Sequence, residues 1–184
     1  MRLKAKTINS SGAIIQLYTG DGKGKTTAAI GQAVRAAGAG KKVAFFQFLK
    51  GGKFPVSEEK ILIAQDNIDY TRFNETTKFF DKNLDSTAMA ARIRLDLNIV
   101  KKAAFTGKYS MIILDEITHV INGGYCDEKS VINMMKKSPV GTGFVLTGRG
   151  APAGLVKTAD LVTEMKAIKH PYNRGVKAAR GVEF

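Results

Sequence analysis

The stretch Thr19-Gly-Asp-Gly-Lys-Gly-Lys-Thr26 constrains this chain more than any other. It separates the apolar run Gly12–Tyr18 from an alanine-rich, proline-free segment, Lys25–Ala37. A short apolar run closing on a glycine-rich turn reads as a buried strand. The alanine-rich segment is a good helix former, and Gly38 supplies its stop. Glycines let successive backbone N–H groups turn inward onto an anion. The helix that starts behind them favours negative charge at its N-terminus. Lys25 adds a point charge for a phosphate, and the Thr26 hydroxyl is a ligand type suited to Mg²⁺. The usual spacing is G-x-x-x-x-G-K-[ST]. Here the first glycine position is Thr19, and the glycine falls one place later, at Gly20.

The rest of the chain alternates strands with helices. Further strands are expected at Val43–Leu49, Ile68–Phe73, Met111–Leu114, Gly143–Thr147 and Leu161–Met165. Helices are expected at Glu58–Gln65, Ser86–Phe105, Asp127–Lys137 and Pro152–Ala159. The longest of these carries Met89, Ile93, Leu97, Val100 and Ala104, whose spacings of three and four form one helical face. Asp85 or Ser86 can cap its start. Residues 74–85 are polar and irregular. Met111–Leu114 is apolar throughout, as a central strand requires. Such alternation argues for a three-layer α/β fold, a mostly parallel sheet of about six strands with helices on both faces. Ligands then bind at the carboxyl ends of the strands. The expected organisation is one domain over residues 1–184, with a short arm at 1–12 and a basic tail at 166–184.

Composition narrows the function classes. No apolar run approaches the ~20 residues that span a membrane, and no secretory signal is read at the N-terminus. The cytoplasm is the expected compartment. One cysteine, Cys126, and two histidines, His119 and His170, make a Cys/His zinc site implausible. The net charge of +13 invites a polyanionic partner, either nucleic acid or a polyphosphate. Its lysines and arginines are scattered without the interleaved aromatics that stack bases, so nucleic acid is not the expected partner.

The strand ends carry the candidate chemistry. Asp115-Glu116 ends the fourth strand, where an acid beside a phosphate loop can hold Mg²⁺ directly or through water. The second acid keeps open a hydrolase that activates water. Arg149, in Thr147-Gly-Arg-Gly150, ends the fifth strand and can neutralise phosphate. His119 reads as a structural polar residue of a loop, His170-Pro171 as a turn signal, and Cys126 as a small, partly buried residue. No Ser–His–Asp set and no dinucleotide fingerprint is visible. The chemistry therefore belongs to a nucleotide and its acceptor, with the protein positioning them and neutralising charge.

Several segments together carry a family resemblance. They are Tyr18–Ala29, Arg35–Gly38 with Gly40-Lys41, Gln47–Gly51, Ile113–Ile117, Leu146–Gly150, Ala159–Met165, Lys169–Ala178 and Gly181–Phe184. In this order they resemble the ATP:corrinoid adenosyltransferases of the CobA/BtuR/CobO type, also called cob(I)yrinic acid a,c-diamide adenosyltransferases. The region from about 53 to 106 matches only loosely. The resemblance implies a P-loop NTPase (RecA-like) fold and shares the shifted glycine at Gly20. It implies ATP bound in reverse along the loop, so that C5′ of the ribose faces a Co(I) corrinoid and tripolyphosphate leaves.

By the same resemblance, Gly20, Asp21, Gly22, Lys23, Gly24, Lys25, Thr26 and Thr27 bind the nucleotide, with Arg35 and Arg149 as further contacts. Lys25 is the expected catalytic charge. Thr26 and Glu116, with Asp115 adjacent, are the expected Mg²⁺ ligands. A homodimer and a flavin-dependent reductase that supplies Co(I) are also implied. One departure concerns the corrinoid wall. Relatives often carry a Gly-Phe-Thr-Trp type segment where this chain reads Glu75-Thr-Thr-Lys-Phe-Phe80, and it has no tryptophan. Phe79 and Phe80 are the candidates to replace it. The competing readings are a P-loop ATPase, with or without a nucleic-acid partner, and a nucleotide-dependent binding module without turnover.

Overall fold

The computed structural model describes residues 13–51, 56–75 and 85–182. Six strands form one sheet: β1 (Ile15–Thr19), β2 (Val43–Gln47), β3 (Ile68–Arg72), β4 (Met111–Asp115), β5 (Gly143–Thr147) and β6 (Leu161–Glu164). Their order across the sheet is β3-β2-β4-β5-β1-β6, and every pairing is parallel. The helices are α1 (Lys25–Gly38), α2 (Glu59–Ile63), α3 (Ser86–Phe105), α4 (Ile117–Asn122), α5 (Glu128–Lys137) and α6 (Ala153–Thr158). A 3-10 turn over Pro171–Arg174 follows the last strand.

Strand periodicity assigns the two faces. In β2, Val43 and Phe45 pack with Ala29, Ala33 and Ala36 of α1 and with Leu62 of α2. Ala44 and Phe46 pack on the other side, against the layer that α3, α5 and the short α4 and α6 form. The two connections that run leftward in the sheet, β1 to β2 and β2 to β3, cross on the α1 face. Those running rightward cross on the α3 face, as right-handed crossovers demand. Ile112, Ile113 and Leu114 of central β4 are fully buried. Each such burial contributes about 1.5–3 kcal/mol relative to exposure.

The expected helix over Ser86–Phe105 has those bounds. Asp85 caps it, accepting from the N–H groups of Thr87 (2.8 Å) and Ala88 (3.4 Å). Of its expected inward residues, Met89, Ile93, Val100 and Ala104 are buried and Leu97 packs at the margin. The first strand starts at Ile15, later than expected, and runs through Thr19. The second stops at Gln47 because Leu49 turns into the left-handed region (φ 56). The short helix α4 was not expected. The strand β6 lies at the sheet edge, paired only with β1 and exposed at all four residues.

Candidate active site

The carboxyl ends of β1, β2, β4 and β5 converge on the start of α1. Side chains alternate along strands, so a residue two places after one that packs on α1 also faces α1. Gln47 follows Phe45, Asp115 follows Ile113, and Thr147 follows Val145 in this way. Gln47 and Asp115 are register partners. The result is a row of polar side chains under the N-terminus of α1. Asp115 lies at its centre and is fully buried. Its Oδ1 accepts from the Thr147 hydroxyl at 2.6 Å and the Thr26 hydroxyl at 3.0 Å. Its Oδ2 accepts from Gln47 Nε2 at 3.0 Å, with Thr26 farther at 3.3 Å. Tyr70 of β3 extends the row by donating to Gln47 Oε1 at 2.7 Å.

The loop above this row explains the shifted spacing. Thr19 still belongs to β1, in register with Glu164, and its hydroxyl accepts from Ala151 N–H at 3.2 Å. The turn therefore begins at Gly20, whose φ is 95°. A Cβ there would collide with the backbone of Met165, so both conformation and space require glycine. Gly22 donates its N–H to Met165 O at 2.7 Å, which ties the loop to the end of β6. Gly24 is the N-cap of α1 with φ 115°, and it has no side chain to cap the first turn. No acid lies in that turn either, so its N–H groups and the helix dipole remain available to an anion. Lys25 is buried and curls back over the loop, donating to Gly20 O and Gly22 O at 2.7 Å each. Burial, with the neighbouring charge of Arg149, lowers its pKa.

Glu116 sits at φ 64°, one of two non-glycine residues in the left-handed region among the described residues. Such a conformation costs about 1–3 kcal/mol and persists where surrounding bonds impose it. Here its N–H donates to Thr147 Oγ1 at 2.9 Å, which turns the chain abruptly into α4. Its carboxylate meets His119 Nδ1 at 2.8 Å and Lys50 Nζ at 3.6 Å. Burial opposes ionisation of Glu116, but the close approach of His119 and the Lys50 charge prevail and lower its pKa. Asp115 is pushed the other way, by its burial and by the charge of Glu116. Thr118 Oγ1 and Asn122 Nδ2 both bond Arg149 O, so α4 shapes the loop after β5.

The structure gathers Gly20–Thr26, Asp115 and Glu116 at one end of the sheet, and Arg149 stands on the neighbouring loop. Thr27 is exposed in the first turn of α1. Arg35 lies in the last turn of the same helix, ten residues beyond Lys25, a rise of about 15 Å. Phe79 and Phe80 lie outside the described residues. His119, read from sequence as a structural loop residue, lies on α4 against Glu116. Lys50, Gln47, Tyr70 and Thr147 escaped sequence reasoning as individual site residues. Gln47, Lys50 and Thr147 lie at strand carboxyl ends within segments that carry the family resemblance, and Tyr70, in the middle of β3, has no such signal.

Mg²⁺ can be tested against this donor set. A hydroxyl and two carboxylates are hard oxygen ligands, the type Mg²⁺ takes. Among the described residues no three His, Cys, Asp or Glu side chains converge as a metal cage. That fits a cation held by one or two protein oxygens, with phosphate and water completing the octahedron.

An all-parallel sheet between two helical layers, with a glycine loop leading from β1 into α1, defines a three-layer α/β protein with its candidate site at the carboxyl ends of the strands. The chain matches the family model described as ATP:corrinoid adenosyltransferase BtuR/CobO/CobP over residues 11–184. It is 33% identical over 171 residues to a corrinoid adenosyltransferase of Escherichia coli K12, covering 93% of this chain and 85% of that one. It is 36% identical over 185 residues to a corrinoid adenosyltransferase of a Sinorhizobium species, covering 100% and 85%. It is 33% identical over 174 residues to corrinoid adenosyltransferase CobA of Salmonella typhimurium LT2, covering 93% and 85%. The chain belongs to the ATP:corrinoid adenosyltransferase family.

Proposed function

We propose that this enzyme transfers the 5′-deoxyadenosyl group of ATP to the Co(I) centre of a reduced corrinoid and releases tripolyphosphate. The family match across residues 11–184 carries this reading. In the reaction, Co(I) supplies the electron pair for a new Co–C5′ bond. The C5′–O bond breaks, and its electrons leave on tripolyphosphate. No proton is taken from the nucleophile, so no general base is required.

The loop Gly20–Thr27 is assigned to the triphosphate. Negative charge builds on the leaving group, and fixed donors that meet it there lower the barrier. Lys25 supplies the principal charge, once its ammonium exchanges the loop carbonyls for phosphate oxygens. Arg149 adds a second cation from the β5 loop. Arg35 is assigned to the nucleotide on resemblance. The Thr26 hydroxyl and the Glu116 carboxylate are assigned to Mg²⁺, with Asp115 holding Thr26 from behind. When bound, the cation would neutralise charge on the triphosphate. Phe79 and Phe80 are assigned to the corrinoid side.

The ATPase alternative fares worse on chemistry. A general base works best with a pKa near the working pH. Glu116 is instead held as a weak base by His119 and Lys50. We also assign to this chain a homodimeric state, a cytoplasmic location and a flavin-dependent reductase as its source of Co(I). No helix among the described residues is long and apolar enough to cross a membrane.

The test is an anaerobic incubation of the protein with Mg-ATP and chemically reduced cobalamin. A light-sensitive Co–C spectrum and one tripolyphosphate per adenosylated corrinoid are expected. Orthophosphate without a Co–C bond would establish the hydrolase instead.

A further inference from the structure

We infer that Gln47 and Tyr70 are positioning residues of the triphosphate site: Tyr70 anchors the Gln47 amide, and Gln47 keeps the Asp115 carboxylate turned toward Thr26. The inference rests on the Mg²⁺ role proposed for Thr26.

A hydroxyl that ligates a cation must aim a lone pair at it and its proton elsewhere. Asp115 receives that proton, since Thr26 Oγ1 donates to it at 3.0 Å. The geometry lasts only while the carboxylate keeps its rotation about the Cβ–Cγ bond. On one side Thr147 holds Oδ1 at 2.6 Å. On the other, Gln47 supplies the shorter bond to Oδ2, 3.0 Å against 3.3 Å for Thr26. Without Gln47, Oδ2 is a buried carboxylate oxygen short of a donor, and nothing on that side fixes the rotation that serves Thr26.

The Gln47 amide carries a donor and an acceptor, so its own orientation must also be set. Gln47 is fully buried. Its Nε2 faces the carboxylate, which leaves Oε1 to be satisfied, and the Tyr70 phenol does this at 2.7 Å. Burial, reinforced by Glu59, raises the Tyr70 pKa and keeps the phenol a donor. The Tyr70 ring packs on Phe45 with centroids 5.8 Å apart, so the phenol is held at this height on the sheet. Hydrogen bonds thus run across four adjacent strands: Tyr70 of β3, Gln47 of β2, Asp115 of β4 and Thr147 of β5. Edge strand β3 thereby bears on a residue of α1 that it does not touch through this row.

The experiment compares ATP dissociation constants in Mg²⁺ and in EDTA for wild type, Thr26→Ala, Gln47→Leu and Tyr70→Phe. Thr26→Ala is expected to lose most of the Mg²⁺-dependent gain. Gln47→Leu is expected to lose about tenfold, the lower end for groups that orient a metal ligand. Tyr70→Phe should lose less, with the EDTA constants of Gln47→Leu and Tyr70→Phe near wild type. In the nucleotide-free, metal-free protein, the Gln47 side-chain amide protons should exchange slowly with solvent, and faster in Tyr70→Phe. If Gln47→Leu does not fold, Tyr70→Phe carries the test, because it removes a single oxygen. Wild-type Mg²⁺ dependence in the Gln47 and Tyr70 variants, beside a loss in Thr26→Ala, would overturn the inference alone. No loss in Thr26→Ala would remove the metal reading and the inference with it.

Discussion

Two aspartates at opposite ends of the sheet show how differently the same side chain is used. Asp115 closes β4 at the carboxyl end, fully buried, and its partners are neutral: two threonine hydroxyls and an amide. Asp69 lies near the start of β3, partly exposed, and its partners are charged or phenolic. Lys42 and Lys108 approach at 2.8 and 2.7 Å, and the Tyr109 hydroxyl at 2.8 Å. Partial burial opposes ionisation of Asp69, but these donors outweigh it and hold the carboxyl well below the usual range. Asp115 moves upward, through burial and the charge of Glu116. One arrangement ties strand to loop at the base of the sheet. The other keeps a carboxylate buried among neutral donors at the end of the sheet where the glycine loop lies.

The contrast predicts effects of different kinds. The largest is expected for Lys25→Ala, which removes the charge we assign to the leaving group. Its chemical step should slow on the order of 10²-fold or more, measured by single-turnover adenosylation, with the fold intact by circular dichroism. Next, Asp115→Asn keeps the shape of the side chain and loses its charge. Turnover should fall about 10–100-fold, and raising Mg²⁺ should recover part of it. At the other end, Asp69→Asn should leave turnover at wild type and cost about 1 kcal/mol, discounted for solvent screening. A chain of this size then melts roughly 2–4 °C lower.

The smallest effect is the pH dependence of that last difference. A carboxyl depressed in the folded chain stabilises above its unfolded pKa of about 3.9, and the benefit disappears as pH falls through the lower folded value. Wild type and Asp69→Asn should therefore differ in melting temperature at pH 7 and converge in strong acid. Activity loss in Asp69→Asn with no change in melting would break the comparison.

The fold was legible where pattern is long or strongly punctuated. Twenty residues of regular spacing marked α3 end to end, and the glycine loop marked the junction of β1 and α1. The helix α4 was missed because six residues carry too little periodicity, and Glu116 begins it in a conformation that sequence preferences disfavour. The loop, Asp115 and Glu116 were legible as a site because acids after an apolar strand stand out. Gln47 and Tyr70 did not, since an amide and a phenol within short strands look like ordinary strand residues. Only the parallel register, which sets Gln47 beside Asp115, gives them a role. The exposure of β6 was equally hidden: its composition reads as strand, but its place at the edge depends on the order of the whole sheet.

Met165 bonds the chain on both sides, donating to Thr19 O at 2.8 Å and accepting from Gly22 N–H at 2.7 Å. The rim of the glycine loop is therefore shared with the segment that leaves β6, where Lys166 and Ala167 are exposed. Trypsin cutting after Lys166 must first peel that segment from the loop. A nucleotide that stiffens the loop should slow the peeling, so the lifetime of the Lys166–Ala167 peptide bond becomes a clock for site occupancy, readable on a gel without any corrinoid.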